Sequence, residues 1–157
     1  MRRALQVNPS VGRASRFLQL PDHVDPSTGA YRRGRAAMEA GNFAVATKWL
    51  AVSAKLSPHF KTWEVLGESL LQQGRINEAI VPLAAATLLN KQGRAPSLLA
   101  KALLKQGDEV KAHEMARLAL ERAPGNRLAT SIRASTKEAY DRWVKDNWPN
   151  EPDERTP

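Results

Sequence analysis

The chain has 157 residues, 42% of them hydrophobic, a formal net charge of +8 and no cysteine. That length suits one domain and that apolar content a folded chain, while the missing thiols exclude disulfides and thiolate-bound zinc and fit a reducing cytoplasm. No run of about 18 apolar residues occurs, so no membrane span is expected.

The charge is uneven along the chain. Residues 1–59 hold nine Lys/Arg against three Asp/Glu, whereas residues 60–92 balance at three and three. Residues 1–26 read as a basic arm, in which Arg2, Arg3, Arg13 and Arg16 precede the first acid, Asp22. A secretory signal is not expected there, because no apolar core segment comes after the basic start. Within the arm, residues 4–9 look like the end of a helix, and Phe17, Leu18 and Leu20 are candidates to dock it on the first helical unit. Pro21, Pro26 and Gly29 mark the break before that unit.

From residue 27 onward the apolar residues fall at helical spacing, and no segment alternates with period two. The helical pattern comes in three units, 27–59, 60–92 and 93–126. Gly41, Gly74 and Gly107 lie 33 residues apart, and so do Ala46, Ala79 and Ala112. Each of those glycines follows one helical pattern and precedes another, the place of a left-handed cap. Small residues pair twelve positions apart as Gly34/Ala46, Gly67/Ala79 and Ala100/Ala112, which lets two helix backbones approach closely. In the middle unit Asn77 is a candidate cap, and Pro82 falls inside its second helix. In the third unit Pro96 suggests a first helix that starts late, since Pro fits the first turn.

Residues 127–148 read as one more helix, with an apolar stripe of Leu128, Ile132, Ala139, Tyr140, Trp143 and Val144. Arg133, Lys137, Arg142 and Lys145 fall on its polar side. Stacked hairpins expose an apolar face at their open end, so an amphipathic cap is needed there. The polar stretch 149–157 reads as a flexible tail.

The 33-residue pattern resembles the tetratricopeptide repeat (TPR). Trp63, Leu66, Gly67, Gly74, Ala79, Leu83 and Ala86 stand at that motif's positions in the middle unit. Gly34, Gly41, Ala46, Leu50 and Pro58 match it in the first unit, and Leu99, Ala100, Gly107, Ala112, Ala119 and Pro124 in the third. The resemblance implies an all-α, right-handed α-solenoid of three helix-turn-helix repeats with a C-terminal capping helix. It also implies binding of a partner along the concave face made by the first helices. Carried over position by position, that groove comprises Tyr31, Arg35 and Met38 from the first unit. The middle unit adds Lys61, Glu64, Glu68 and Leu71, and the third adds Arg94, Ser97, Lys101 and Lys105. So read, the groove is basic at both ends and acidic in the middle, and fits a protein or peptide with acidic segments.

Some members of the family clamp a chaperone's C-terminal carboxylate with Lys and Asn. Here Tyr31, Arg35 and Val65 replace three of those residues and only Arg94 fits, so that activity is not expected. An N-terminal segment, three repeats and a terminal helix are similar, in layout alone, to the small type III secretion chaperones for translocators. A second surface, a convex one, is suggested by Trp49, Pro82 and Met115, equivalent positions that the family often leaves exposed. An apolar stripe there would serve a partner or self-association, and core packing is the competing reading.

No catalytic motif is present. His113 lies one turn after Glu109, but two ligands without a third do not make a metal site, and no cofactor or phosphate loop is expected. The sequence therefore predicts a non-enzymatic adaptor, chaperone or assembly subunit. The alternative is a basic, nucleic-acid-associated subunit of a ribonucleoprotein or viral particle, using Arg2, Arg3, Arg13, Arg16, Arg32, Arg33 and Arg35 on phosphates and Tyr31 or Phe17 against bases.

Overall fold

A computed structural model describes residues 25–148, and the predicted arm up to residue 24 and the tail beyond Trp148 lie outside the described residues. The described chain is a succession of seven helices: α1 (Pro26–Glu39), α2 (Phe43–Leu56), α3 (Phe60–Gln72), α4 (Ile76–Leu89), α5 (Arg94–Gln106), α6 (Glu109–Arg122) and α7 (Arg127–Asn147). No helix among them is long and apolar enough to cross a membrane.

Three hairpins are closed by the same backbone device. Gly41, Gly74 and Gly107 all have positive φ, at 74°, 72° and 92°. The residue after each glycine donates its N–H back to the first helix: Asn42 to Ala37 O at 2.8 Å, Arg75 to Leu70 O at 2.9 Å and Asp108 to Leu103 O at 3.0 Å. This closure satisfies carbonyls that the helix end would leave orphaned, and an L side chain would strain it.

Helix starts are set by short polar side chains. Asp25, Asn42, Asp108 and Asn126 each accept from a backbone N–H three residues on, and His59 Nδ1 accepts from Lys61 N at 3.2 Å. Asn77 does not cap α4; the cap position is Arg75, without a side-chain bond. The amide oxygen of Asn77 instead accepts from Gln106 Nε2 at 3.1 Å, one unit further on. The third unit's first helix begins at Arg94, one residue later in the 33-residue step than α3, and its first turn includes Pro96. α4 continues as helix through Pro82.

Within each hairpin the close approach is decided by one pair. A Cβ on Gly34 would lie 2.6 Å from Leu50 Cγ, and one on Gly67 would lie 2.4 Å from Leu83 Cγ. The glycines are therefore seats for leucine side chains, which themselves are fully buried. In the third unit the equivalent positions hold Ala100 and Ala116, so an added methyl is matched by a smaller partner. One continuous apolar cluster runs from Ala37 through Leu50, Leu83, Leu99 and Ala116 to Ile132 in α7.

α7 packs on α6 and on α5 and closes the end of the stack. Ala129 and Ile132 are buried, Leu128, Ala139, Tyr140 and Val144 are half-buried, and Arg133, Lys137, Arg142 and Lys145 face water; Trp143, expected in the apolar stripe, is exposed. His113 in α6 is hydrogen-bonded to Thr136 Oγ1 of α7 at 3.0 Å and stacks on Tyr140 with ring centres 4.3 Å apart. The first helices α1, α3 and α5, with α7, touch one another in sequence, whereas the second helices α2, α4 and α6 make at most marginal contact with each other. The stack thus curves with its first helices on the inside.

Candidate functional site

The inner face takes its side chains from three first helices. Lys61, Glu64, Glu68 and Leu71 step by three and four along α3, so they share one side. Tyr31, Arg35 and Met38 do so on α1, and Arg94, Ser97, Lys101 and Lys105 on α5.

The structure divides these eleven residues. Leu71 and Ser97 are buried, and Glu64 is completely so. Leu71 belongs to the apolar core, and Ser97 turns its hydroxyl back to Arg94 O at 2.7 Å. These three are corrected from groove-lining to interior positions: neighbouring first helices lie close enough to cover the side of α3 and α5 that faces the next unit. Met38 and Tyr31 are half-buried against the same core. Arg35, Lys61, Glu68, Arg94, Lys101 and Lys105 keep exposed or half-exposed side chains.

The predicted acidic middle is not open. Arg94 reaches back from the start of α5 and donates through Nη1 to Glu64 Oε1 at 2.7 Å and through Nη2 to Glu68 Oε2 at 2.7 Å. Partial burial opposes the charged guanidinium, but the bonds from Glu64 and Glu68 outweigh it and raise the Arg94 pKa. Lys61 Nζ lies 3.8 Å from the same Glu64 oxygen, while Glu64 Oε2 is buried without a partner. Arg94 and Lys61 together therefore balance the two acids, and Lys101 and Lys105 leave the face a basic excess. Lys101 and Lys105 have no ion-pair partner among the described residues, and Arg35 has only Glu39 on its own helix, at 3.7 Å. The sequence holds a signal for the Arg94 bridge: opposite charges separated by 30 and 26 residues, one unit less one or two helical turns.

Tyr31 and Lys61 meet in a pocket of about 320 Å³ between α1, the end of α2 and the start of α3. Asp25, Ser57, His59 and Thr62 also line it. None of those four was expected from the sequence, because they belong to the helix ends and not to the groove positions.

The convex triad also separates. Pro82 is buried, Met115 is half-buried in the core, and Trp49 is half-buried with Arg33 stacked 4.8 Å over its ring. Trp49, Pro82 and Met115 therefore do not form an exposed stripe. One residue along a helix turns the side chain by about 100°, and the exposed apolar residues of α4 are Val81, Leu88 and Leu89.

No protein-family model matches the chain, and no curated protein is similar to it in sequence. Solved structures are similar in shape. The first TPR domain of Spaghetti (RPAP3), bound to the HSP90 peptide SRMEEVD, superposes with a TM-score of 0.70 over 77% of this chain and 99% of that one, at 18% identity. The fold is the tetratricopeptide-repeat fold. The Arabidopsis OM64 TPR domain gives a TM-score of 0.69 over 73% of this chain and 96% of that one, at 18% identity. The Yersinia enterocolitica type III secretion chaperone SycD, in complex with a peptide of the translocator YopD, gives 0.67 over 76% and 98%, also at 18%. The one carboxylate-clamp residue that fits here, Arg94, is engaged by Glu64 and Glu68, and Val65 is buried in the core.

Proposed function

We propose that this chain is a non-enzymatic protein-interaction module, an adaptor, chaperone or assembly subunit, that binds an acidic peptide segment along its inner face and acts in a reducing cytoplasm. One observation carries the reading. Arg94, with Lys61, takes up both acids of the inner face, and Arg35 is shared only with Glu39, which leaves Lys101 and Lys105 as its unpaired outward charge among the described residues. A basic, concave surface attracts and orients acidic chains. The peptides seated in the RPAP3 and SycD structures support a peptide as occupant, and SRMEEVD is itself acidic.

The occupied Arg94 and the buried Val65 argue against a terminal-carboxylate clamp, so an internal acidic segment serves as well as a C-terminal one. Fluorescence anisotropy with an Asp/Glu-rich peptide, its amidated form, its Lys-rich reversal and a single-stranded oligonucleotide tests this. The acidic peptide and its amide should bind alike and the Lys-rich peptide should not. Lys101→Glu/Lys105→Glu should weaken the acidic peptide by about ten-fold or more. Equal affinity for the Lys-rich peptide, or tightest binding to the oligonucleotide, refutes the proposal.

A further inference from the structure

The outer face of the stack carries a second pattern, unrelated to the groove. Val81 is 70% exposed and Leu88 is 87% exposed, one above the other on α4. The 33-residue step places Lys48 and Lys55 at the equivalent positions of α2, and Glu114 and Glu121 at those of α6. Lys48, Lys55 and Glu121 are exposed and Glu114 is half-exposed. At the levels of Val81 and Leu88 the outer surface thus reads across the stack as basic, apolar and acidic, in three parallel columns with α4 in the centre; the exposed Glu78 on α4 and Lys111 and Arg117 on α6 lie beside them, each paired on or next to its own helix. Val52 of α2 (44% exposed) and the half-buried Leu118 of α6 extend the apolar strip on either side. Glu121 has one weak internal partner, Arg117 at 3.9 Å.

We propose that this face is a self-complementary interface that joins two copies of the chain about a two-fold axis parallel to α4. A two-fold contact pairs one patch with itself, so the patch must be complementary under the rotation. An axis along α4 brings Val81 against Val81 and Leu88 against Leu88 of the second copy. The same rotation exchanges the flanks: Lys48 faces Glu114 and Lys55 faces Glu121, on both sides of the contact. The other face-to-face rotation, about an axis across α4, sets each unit against its own copy. Lys48 would then oppose Lys55, and Glu114 would oppose Glu121. Like charges held opposite each other are costly and opposite charges fix register, so the charge columns select the first arrangement. Curvature limits close contact to α4, and the four flanking residues are long enough to reach across the widening gap. The two inner faces point away from each other in such a pair, so both grooves remain open.

Sedimentation velocity of the full chain should give twice the monomer mass. Lys48→Glu/Lys55→Glu makes both flanks acidic, and Glu114→Lys/Glu121→Lys makes both basic. Each variant alone should be monomeric, with its self-association weakened at least about ten-fold, and the two mixed should restore the dimer. All four substitutions are at solvent-facing positions, and far-UV circular dichroism checks that the helices are kept. Because the chain has no cysteine, Leu88→Cys is a single-site probe, and mild oxidation should link it to its own copy. Monomeric wild-type chain at the highest attainable concentration, or a mixture of the two variants that does not associate, overturns the proposal. A Leu88→Cys dimer that does not cross-link overturns the axis along α4.

Discussion

Replacing Gly67 with alanine tests the packing rule of the stack. The added Cβ would sit 2.4 Å from Leu83 Cγ and 2.6 Å from Leu83 Cδ2. Carbon atoms in contact prefer about 3.5–4.0 Å, so α3 and α4 must separate by about 1 Å or Leu83 must leave its well. Overpacking of this kind costs about 1–3 kcal/mol. Alanine in place of an interior helical glycine returns about 0.5–1 kcal/mol, so Gly67→Ala alone should be destabilising only modestly. Leu83→Ala alone opens a cavity and should cost about 2–5 kcal/mol. In the double variant the methyl no longer meets Leu83, and the pair becomes the Ala/Ala combination that positions 100 and 116 already use. The coupling energy then isolates the clash and should favour the double variant by about 1–3 kcal/mol. Urea unfolding of the four chains, monitored by far-UV circular dichroism with the m-value held as a control, measures it. Additivity within about 0.5 kcal/mol would refute the claim that Gly67 exists to seat Leu83.

Two further outcomes are expected from buried polar groups. Arg94→Ala leaves the Glu64 carboxylate buried, with only Lys61 at 3.8 Å, and should cost about 2–3 kcal/mol, under the figure for a fully buried partner because Arg94 is half exposed. Adding Glu64→Gln to Arg94→Ala should recover part of that loss in the same urea titration, and no recovery would mean that the charge of Glu64 is irrelevant. Burial lowers the His113 pKa from its ordinary 6.5; Arg133 adds repulsion, Asp141 opposes it, and Arg117 adds more repulsion. The unfolded chain therefore binds the proton first on acidification, and stability should fall as pH drops from about 6.5 toward the lower folded-state value. His113→Gln should flatten that dependence between about pH 7 and pH 5; an unchanged slope would place the effect on other groups.

Much of the fold was legible because it rests on local rules. A glycine every 33 residues at a positive-φ turn, helical spacing between those turns and a small residue at each close approach together specify stacked hairpins. The stripe on 127–148 was legible for the same reason, since an open stack must be capped. Individual contacts were less so. The twelve-residue Gly/Ala spacing pointed to close packing, but the side chain resting on Gly67 is Leu83, sixteen residues on, as the structure shows. Asn77 looked like a cap and instead ties two units together.

The repeating hairpin, its handed turns and the positions that make an inner face are all written in the residues themselves, because each depends on backbone geometry within one unit. Packing between units settled that Arg94 takes up both inner acids, that Glu64, Leu71 and Ser97 lie inside, and that Val81 and not Pro82 meets solvent. Those outcomes depend on how one unit is rotated and spaced against the next. A single residue step turns a side chain through more than a quarter of a circle, so a small change in that rotation exchanges buried for exposed while the repeat in the sequence stays the same.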